Sequence, residues 1–169
     1  MFQPYELDFQ QAIHLDRCWG ALKKCRVADA VKIIKTWSSG WATSSRYHEG
    51  VLLPCLFGCK CIDKLAHYFV CPHLFALWTF LAGDVSSDPL ERGGLIRPEP
   101  NVFLQIVFVF SGYHAIRREL KRKSELFANN QNNLTGPQIR VAWTVFADAF
   151  RVEAREVKLN CRPFSVASF

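Results

Sequence analysis

The strongest constraint on the fold is a stretch rich in cysteine and histidine that runs from Pro54 to His73, PCLFGCKCIDKLAHYFVCPH. It contains four of the seven cysteines and two of the five histidines of the chain. Cysteine thiolates and histidine imidazoles are preferred ligands of Zn²⁺, and structural zinc sites bring four of them together as a tetrahedron, usually from two short pairs. The stretch therefore predicts a metal centre around which the neighbouring chain must fold.

The spacing predicts which side chains form the two ligand pairs. Cys55 and Cys59 enclose a short turn in which Gly58 can adopt a positive φ without a Cβ clash. His67 and Cys71 are four residues apart, so a short helix would place both side chains on one side. We predict a Cys-Cys-His-Cys zinc site formed by these residues.

Two further residues stay open as ligands. Cys61 could replace Cys59, although a separation of one residue directs the two side chains apart in an extended segment. His73 could replace Cys71 if the short helix ended early. Without a metal, the cysteines would be buried small apolar residues. A disulfide framework is disfavoured because the chain has seven cysteines and no secretory signal.

Several short motifs surround these ligands between Trp41 and Trp78. They are a Trp-x-Thr-Ser-x-Arg lead-in at Trp41, the cysteine pair with its Phe-Gly, Asp-x-Leu-x-His-Tyr at Asp63, and Cys-Pro at Cys71. Together they resemble the zinc-finger segment that follows the polymerase domain in non-LTR (LINE-like) retrotransposon reverse transcriptases. The resemblance implies the metal ligands Cys55, Cys59, His67 and Cys71. In that family two residues often separate the first pair and Gly follows it, whereas here three residues separate the pair and Gly58 lies within it.

The resemblance also implies a function. The chain would be a C-terminal fragment or remnant of an RNA-directed DNA polymerase, with RNA or single-stranded DNA and the rest of the polyprotein as partners. The sequence itself contains no paired-aspartate polymerase motif, no GxxxxGK[ST] and no His-Glu-x-x-His. Four Cys/His ligands would also leave no open position for a catalytic water. A Cys71–His67 nucleophile pair is the competing interpretation, and we predict that the chain is not an enzyme.

The rest of the chain predicts a mainly α-helical body. Apolar periodicity and stop signals favour helices at 5–22, 26–37, 74–81, 101–127 and 137–159. In the second of these, the predicted core stripe comprises Val27, Ala30, Val31, Ile34 and Trp37. We expect four regions: N-terminal helices at 1–40, a zinc-finger module with its following helix at 41–82, a loop at 83–100, and two long helices packed on the body at 101–169.

Positive charge is concentrated in the second half of the chain. Residues 1–112 contain 11 basic and 10 acidic residues, whereas residues 113–169 contain 10 and 5. Such an excess is typical of proteins that bind phosphate backbones, although helix dipoles also favour cations near a C-terminus. The predicted nucleic-acid-binding residues are Arg117, Arg118, Lys121, Arg122, Lys123, Arg46 and Trp41. Trp41 would stack on a base, or else would pack on the finger while Arg46 is solvated.

These observations favour a non-catalytic nucleic-acid-binding zinc module, with a zinc-stapled helical protein-interaction module as the alternative. The most apolar run, from Val102 to Phe110, is nine residues long, whereas a membrane-spanning helix needs about 20. We therefore expect no membrane partner and an intracellular location, nuclear or cytoplasmic.

Overall fold

The computed structural model describes residues 15–46, 52–59, 61–122 and 134–157. Within these ranges the helices are α1 (Leu15–Leu22), α2 (Val27–Trp37), α3 (Leu65–Tyr68), α4 (Pro72–Ala82), α5 (Pro89–Arg92), α6 (Pro100–Arg122) and α7 (Gly136–Glu156). The only β-pairing among the described residues is an isolated antiparallel bridge between Pro54 and Ile62. The predicted mainly α fold class is confirmed.

The two long helices, α6 and α7, make the most extensive helix–helix contact, and α2 packs on α6. The apolar first half of α6 is buried, as its sequence predicts. Phe108 packs edge-on against Phe150 of α7, with ring centroids 4.9 Å apart. At Gly112 the helices approach so closely that an added Cβ would lie 2.6 Å from Phe146 Cε2. A residue without a side chain is therefore required at this crossing.

Residues in the sequence around 135–138 determine where α7 begins. Thr135 caps α7 in a capping box, in which its N–H donates to the Gln138 side chain over 2.7 Å. Proline at 137 lies in the first turn, where its missing N–H has no helical partner to lose. The helix predicted at 74–81 is present as part of α4, and its buried face comprises Leu74, Leu77, Trp78 and Leu81.

The predicted core stripe of α2 is wrong at three of its five positions: Ala30 and Trp37 pack against the hydrophobic core, but the other three residues face solvent. Val27, Val31 and Ile34 are exposed by 82%, 44% and 40%. The helix instead buries Asp29, Ile33 and Thr36. Polar residues can lie inside because their hydrogen bonds are made locally: Arg26 donates to the Asp29 carboxylate at 2.6 and 3.1 Å, and Thr36 Oγ1 donates to the Lys32 carbonyl at 2.9 Å.

The segment at 83–100, predicted to be a loop, contains the one-turn helix α5. Asp88 caps it by accepting a hydrogen bond from the Leu90 N–H at 2.8 Å. Arg92, which is buried, donates to the carbonyls of Ser86 and Ser87 and to that of Phe69. The loop is thereby attached to the chain that carries the metal ligands. The parts of the predicted helices at 5–14, 123–127 and 158–159 lie outside the described residues.

Candidate metal centre

The four predicted ligands converge on one point. The ligand atoms of Cys55, Cys59, His67 and Cys71 all lie within 4.8 Å of one another. The Cys71 sulfur is 3.7 Å from that of Cys55 and 3.9 Å from that of Cys59. A tetrahedral site with Zn–S bonds of about 2.3 Å has S···S edges of about 3.8 Å. Both of these sulfur–sulfur distances therefore match an edge of a tetrahedral metal site.

One edge of this tetrahedron is shorter than a metal would make it. His67 Nε2 lies 2.8 Å from Cys59 Sγ, which is a hydrogen-bonding distance. Metal–nitrogen and metal–sulfur bonds of about 2.1 and 2.3 Å would give an edge of about 3.6 Å. A bound metal would therefore hold the imidazole nitrogen about 0.8 Å farther from the Cys59 sulfur.

A tight backbone turn positions the first ligand pair. The Cys55 N–H donates to the Cys61 carbonyl at 2.7 Å, and the Asp63 N–H donates to the Leu53 carbonyl at 2.9 Å. These bonds form a short hairpin whose tip contains both Cys55 and Cys59. Gly58 has a φ of +90°, in the region that favours glycine, and an added Cβ would meet Ile139 of α7 at 2.6 Å. The turn thus requires glycine both for its conformation and for its contact with α7.

The second ligand pair does not share one helix, contrary to the prediction. His67 lies in α3, which ends at Tyr68, whereas Cys71 is the N-cap residue of α4. Pro72 explains the break, because proline starts a helix readily but cannot continue one. The Leu74 N–H donates to Cys71 Sγ at 3.5 Å. The α4 N-terminus therefore favours a thiolate at Cys71.

The three thiols differ in acidity. The pKa of Cys71 is lowered to about 4, chiefly because Cys55 donates a hydrogen bond to its sulfur. The same hydrogen bond, together with burial, raises the pKa of Cys55. Burial also raises the pKa of Cys59 to about 11. One sulfur is thus prepared as a thiolate, while the other two would release protons on metal binding.

Asp63 connects the metal centre to the rest of the fold, which the sequence did not predict. Its carboxylate is fully buried and accepts hydrogen bonds from the Ser44 N–H at 2.7 Å, the Tyr113 hydroxyl at 3.0 Å and the Tyr68 hydroxyl. Arg117 lies 3.7 Å from the same carboxylate. Burial and the neighbouring carboxylate raise the pKa of Tyr68 well above its usual value. In the sequence, the only indication that Asp63 has a structural role is its place as the first residue of the Asp-x-Leu-x-His-Tyr motif.

The alternate ligands lie outside the cluster. Cys61 contributes its backbone carbonyl to the hairpin, and its thiol is not among the converging atoms. His73 Nδ1 lies 2.8 Å from the Phe57 carbonyl and donates to it. The histidine thus holds the turn between the two cysteines in place from outside.

The predicted nucleic-acid-binding residues fall into different environments, and that of Trp41 matches the alternative in which it packs on the finger. Trp41 is 2% exposed, stacks on Tyr68 and donates from Nε1 to Thr36 Oγ1 at 2.8 Å, so no base can reach its ring. Arg117 is held by the buried carboxylate of Asp63. Arg122 is exposed but forms a two-pronged ion pair with Glu119 at 2.9 and 3.0 Å.

Two of the remaining predicted binding residues are accessible to a nucleic acid, and the side chains of the other two lie outside the described residues. Arg118 and Arg46 are exposed on the surface. The side chain of Lys121 and all of Lys123 lie outside the described residues.

Comparisons with known proteins identify no family for this chain. A scan against protein-family models found no matching family. Searches of curated proteins and of solved structures also found no match. Among the described residues, no helix is both long enough and apolar enough to cross a membrane.

The donor set defines what this centre can do. Three sulfurs and one imidazole nitrogen supply four ligands, and Cys55, Cys71 and His67 are buried. Such a group could hold a metal ion with a closed coordination sphere. Closed Cys/His sites stabilise folds, whereas catalytic zinc sites keep a position for water or substrate.

Proposed function

We propose that this protein is a non-catalytic module in which a structural Zn²⁺ fixes a turn against a helical body, and that the module binds single-stranded nucleic acid. The zinc assignment rests on the tetrahedral convergence of three cysteines and one histidine. Soft thiolate ligands in a tetrahedron are typical of Zn²⁺ sites.

Metal analysis tests the zinc assignment. Purified protein should contain about one Zn²⁺ per chain, as expected for one four-ligand site. The double variant Cys55→Ser/Cys71→Ser should retain none, whereas Cys61→Ser should retain it fully because that thiol lies outside the cluster. Full zinc occupancy in the double variant would contradict the ligand assignment.

The proposal of nucleic-acid binding is supported by charge and by the resemblance described above. The chain has a net charge of +6, and Arg118, Arg46, Lys64 and Lys35 are exposed. The intact parent would then be a retrotransposon RNA-directed DNA polymerase. A continuous reading frame that joins this segment to a polymerase domain would support that origin.

Salt dependence tests the nucleic-acid proposal. Each phosphate contact with a single strand adds about −0.7 to the slope of log affinity against log salt. Because Arg117 is held by Asp63 and Arg122 is paired with Glu119 on the surface, we expect only two or three phosphate contacts and a slope of about −1.4 to −2. Absence of binding to an RNA oligonucleotide at low salt would refute the proposal.

A protein-interaction module is the second candidate, and the outer face of α2 favours it. Val27, Val31 and Ile34 are spaced as one stripe along this helix and are exposed. Binding through such a face would depend weakly on salt, unlike binding to phosphate. An affinity that is unchanged between low and high salt would therefore favour this candidate.

A further inference from the structure

A pocket of about 480 Å³ lies between α2, α6 and α7, and residues of all three helices line it. Its volume falls within the range of about 300–1,000 Å³ that is usual for small-molecule sites. Its lining includes Lys32, Phe110, Ser111, His114, Arg118 and Glu153.

The acidic group of the pocket is already compensated. Glu153 Oε1 accepts hydrogen bonds from Lys32 Nζ at 2.5 Å and from Ser111 Oγ at 2.7 Å. Its side chain is 17% exposed, so this ion pair is shielded from solvent. Because the Glu153 carboxylate is already paired with Lys32, it does not neutralise any other cation near the pocket.

Two exposed cations lie beside the pocket. Arg118 lines it, and Lys35 lies on α2 three residues after the lining residue Lys32, so that both lysines are on one side of that helix. Within the part of the chain that the structure describes, no ion pair is formed by either side chain. Arg117 also acts on His114, but its guanidinium is held near Asp63. The site thus carries positive charge without a matching anion.

His114 adds a hydrogen-bonding group that has no partner. Its Nε2 is buried and makes no hydrogen bond to any described residue. The ring packs on Phe110 with centroids 4.2 Å apart, which keeps it in the pocket wall. Burial first, and then the charges of Lys35, Arg118 and Arg117, lower the pKa of His114 to about 4. An anion in the pocket would supply both the missing charge and a hydrogen-bond acceptor.

We propose that this pocket binds a phosphate group, held by Arg118 and Lys35 beside His114. If the phosphate belongs to a polynucleotide, the pocket is one contact site of the proposed nucleic-acid-binding function, and the proposal then rests on that function. Inorganic phosphate and a free nucleotide present the same chemistry, so the source is decided by experiment.

The test compares two charge-matched double variants of the full-length, zinc-loaded chain. Arg118→Gln/Lys35→Gln removes the lining arginine and the neighbouring lysine of α2, which are the two exposed cations beside the pocket that form no ion pair with a described residue. Arg140→Gln/Lys23→Gln removes two exposed cations elsewhere on the surface. Binding of inorganic phosphate, AMP and a single-stranded RNA oligonucleotide is measured at low salt. We expect the pocket variant to lose about tenfold or more in affinity, because charged hydrogen bonds are removed. The control variant should lose much less.

A second measurement needs no substitution. The pKa of the His114 imidazole, followed by NMR in the wild-type chain, should rise when AMP or phosphate saturates the site, since a nearby anion favours the imidazolium. An unchanged His114 pKa, or equal losses in both double variants, would overturn the pocket.

The outcomes also separate this proposal from the proposed function. RNA binding that both variants weaken equally refutes the pocket and leaves the nucleic-acid function standing. Phosphate and AMP binding that only the pocket variant loses, without RNA binding, supports the pocket and refutes the nucleic-acid function. No binding of any probe refutes both.

Discussion

The metal-ligand segment, residues 52–82, and the helix pair α6–α7 bury their centres by different means. In the helix pair, aromatic rings such as Phe108 and Phe150 interlock along two helices of 23 and 21 residues. In the metal-ligand segment, the centre is formed by thiols and an imidazole, and the helix that carries His67 has four residues. Helices as short as this are not stable alone. The comparison indicates that packing alone holds the helix pair, whereas the metal-ligand segment combines packed apolar residues with a cluster of potential metal ligands.

The two regions nevertheless share a contact through Phe57. Its ring is fully buried and packs edge-on against Phe146 of α7, with centroids 5.3 Å apart. Its carbonyl accepts hydrogen bonds from His73 Nδ1 at 2.8 Å and from Trp143 Nε1 at 3.3 Å. The tip of the metal-binding turn is therefore held from both α4 and α7.

Removal of the metal should have the largest effect and should separate the two regions. In Cys55→Ser/Cys71→Ser we expect the free energy of unfolding to fall by about 5 kcal/mol or more, because structural zinc in isolated fingers binds with about 10–16 kcal/mol. Hydrogen exchange should show loss of protection across 52–82, while core amides of α6 and α7 remain protected. Equal loss in both regions would show that they unfold as one unit.

Replacement of Asp63 tests the link between the regions. Asp63→Asn leaves Arg117 without its carboxylate and disturbs the hydrogen bonds of Tyr68 and Tyr113. We expect a loss of about 3 kcal/mol, the lower end for breaking a buried pair, since Arg117 keeps some exposure. Asp148→Asn is the control, because its ion pair with Arg151 is exposed and should be worth less than about 1 kcal/mol. Chemical denaturation measures both, and similar losses would exclude a linking role.

Acid should weaken the helix pair through His114. Its pKa is about 4 in the folded chain and about 6.5 when unfolded. Between these values the unfolded imidazole binds a proton that the folded one does not, so stability present above pH 6.5 is lost as the pH falls towards 4. The expected loss from pH 7 to pH 5 is about 2 kcal/mol. The variant His114→Gln should not show this part of the loss of stability. An identical pH dependence of stability in the variant and the wild type would contradict the role of His114.

A single methyl group should produce a smaller effect at the α6–α7 crossing. Gly112→Ala places a Cβ against the ring of Phe146, which is fully buried and cannot move aside. We expect a loss of about 1–3 kcal/mol, typical of an overpacked core, with zinc content unchanged. Gly20→Ala in α1 meets no atom within 4 Å and should be neutral or stabilising by up to about 1 kcal/mol. Thermal unfolding of both variants checks the difference, and loss of zinc from Gly112→Ala would contradict the separation of the regions.

The cluster of candidate ligands could be predicted because a small ion requires its ligands to be close, and short spacings reveal this in the sequence. The backbone conformation around the cluster could not be predicted in the same way. The break between His67 and Cys71 follows from Pro72, whose preference for a helix start competes with the four-residue spacing. Tyr113, one of the partners of Asp63, is 50 residues away along the chain, so no local pattern indicates the pair.

The misplaced face of α2 has a related cause. Periodicity indicates that a helix has an apolar side but does not say which side meets the body. Asp29 and Thr36 are buried because neighbours on the same helix or beside it satisfy their hydrogen bonds. Similarly, Trp41 was a candidate for base stacking from its type alone, and only the packing of Tyr68 and Tyr113 around it shows that it is inaccessible.

The buried carboxylate of Asp63 also determines how this protein can be divided. Its partners begin at Ser44 and extend to Arg117, far beyond the four candidate metal ligands. A synthetic peptide limited to the four ligands would contain the carboxylate but lack Tyr113 and Arg117, and would expose Phe57 to water. The smallest transplantable unit is therefore the lead-in, the ligand segment and both long helices together, so a graft of the metal-binding turn onto another scaffold must include a substitute for α6.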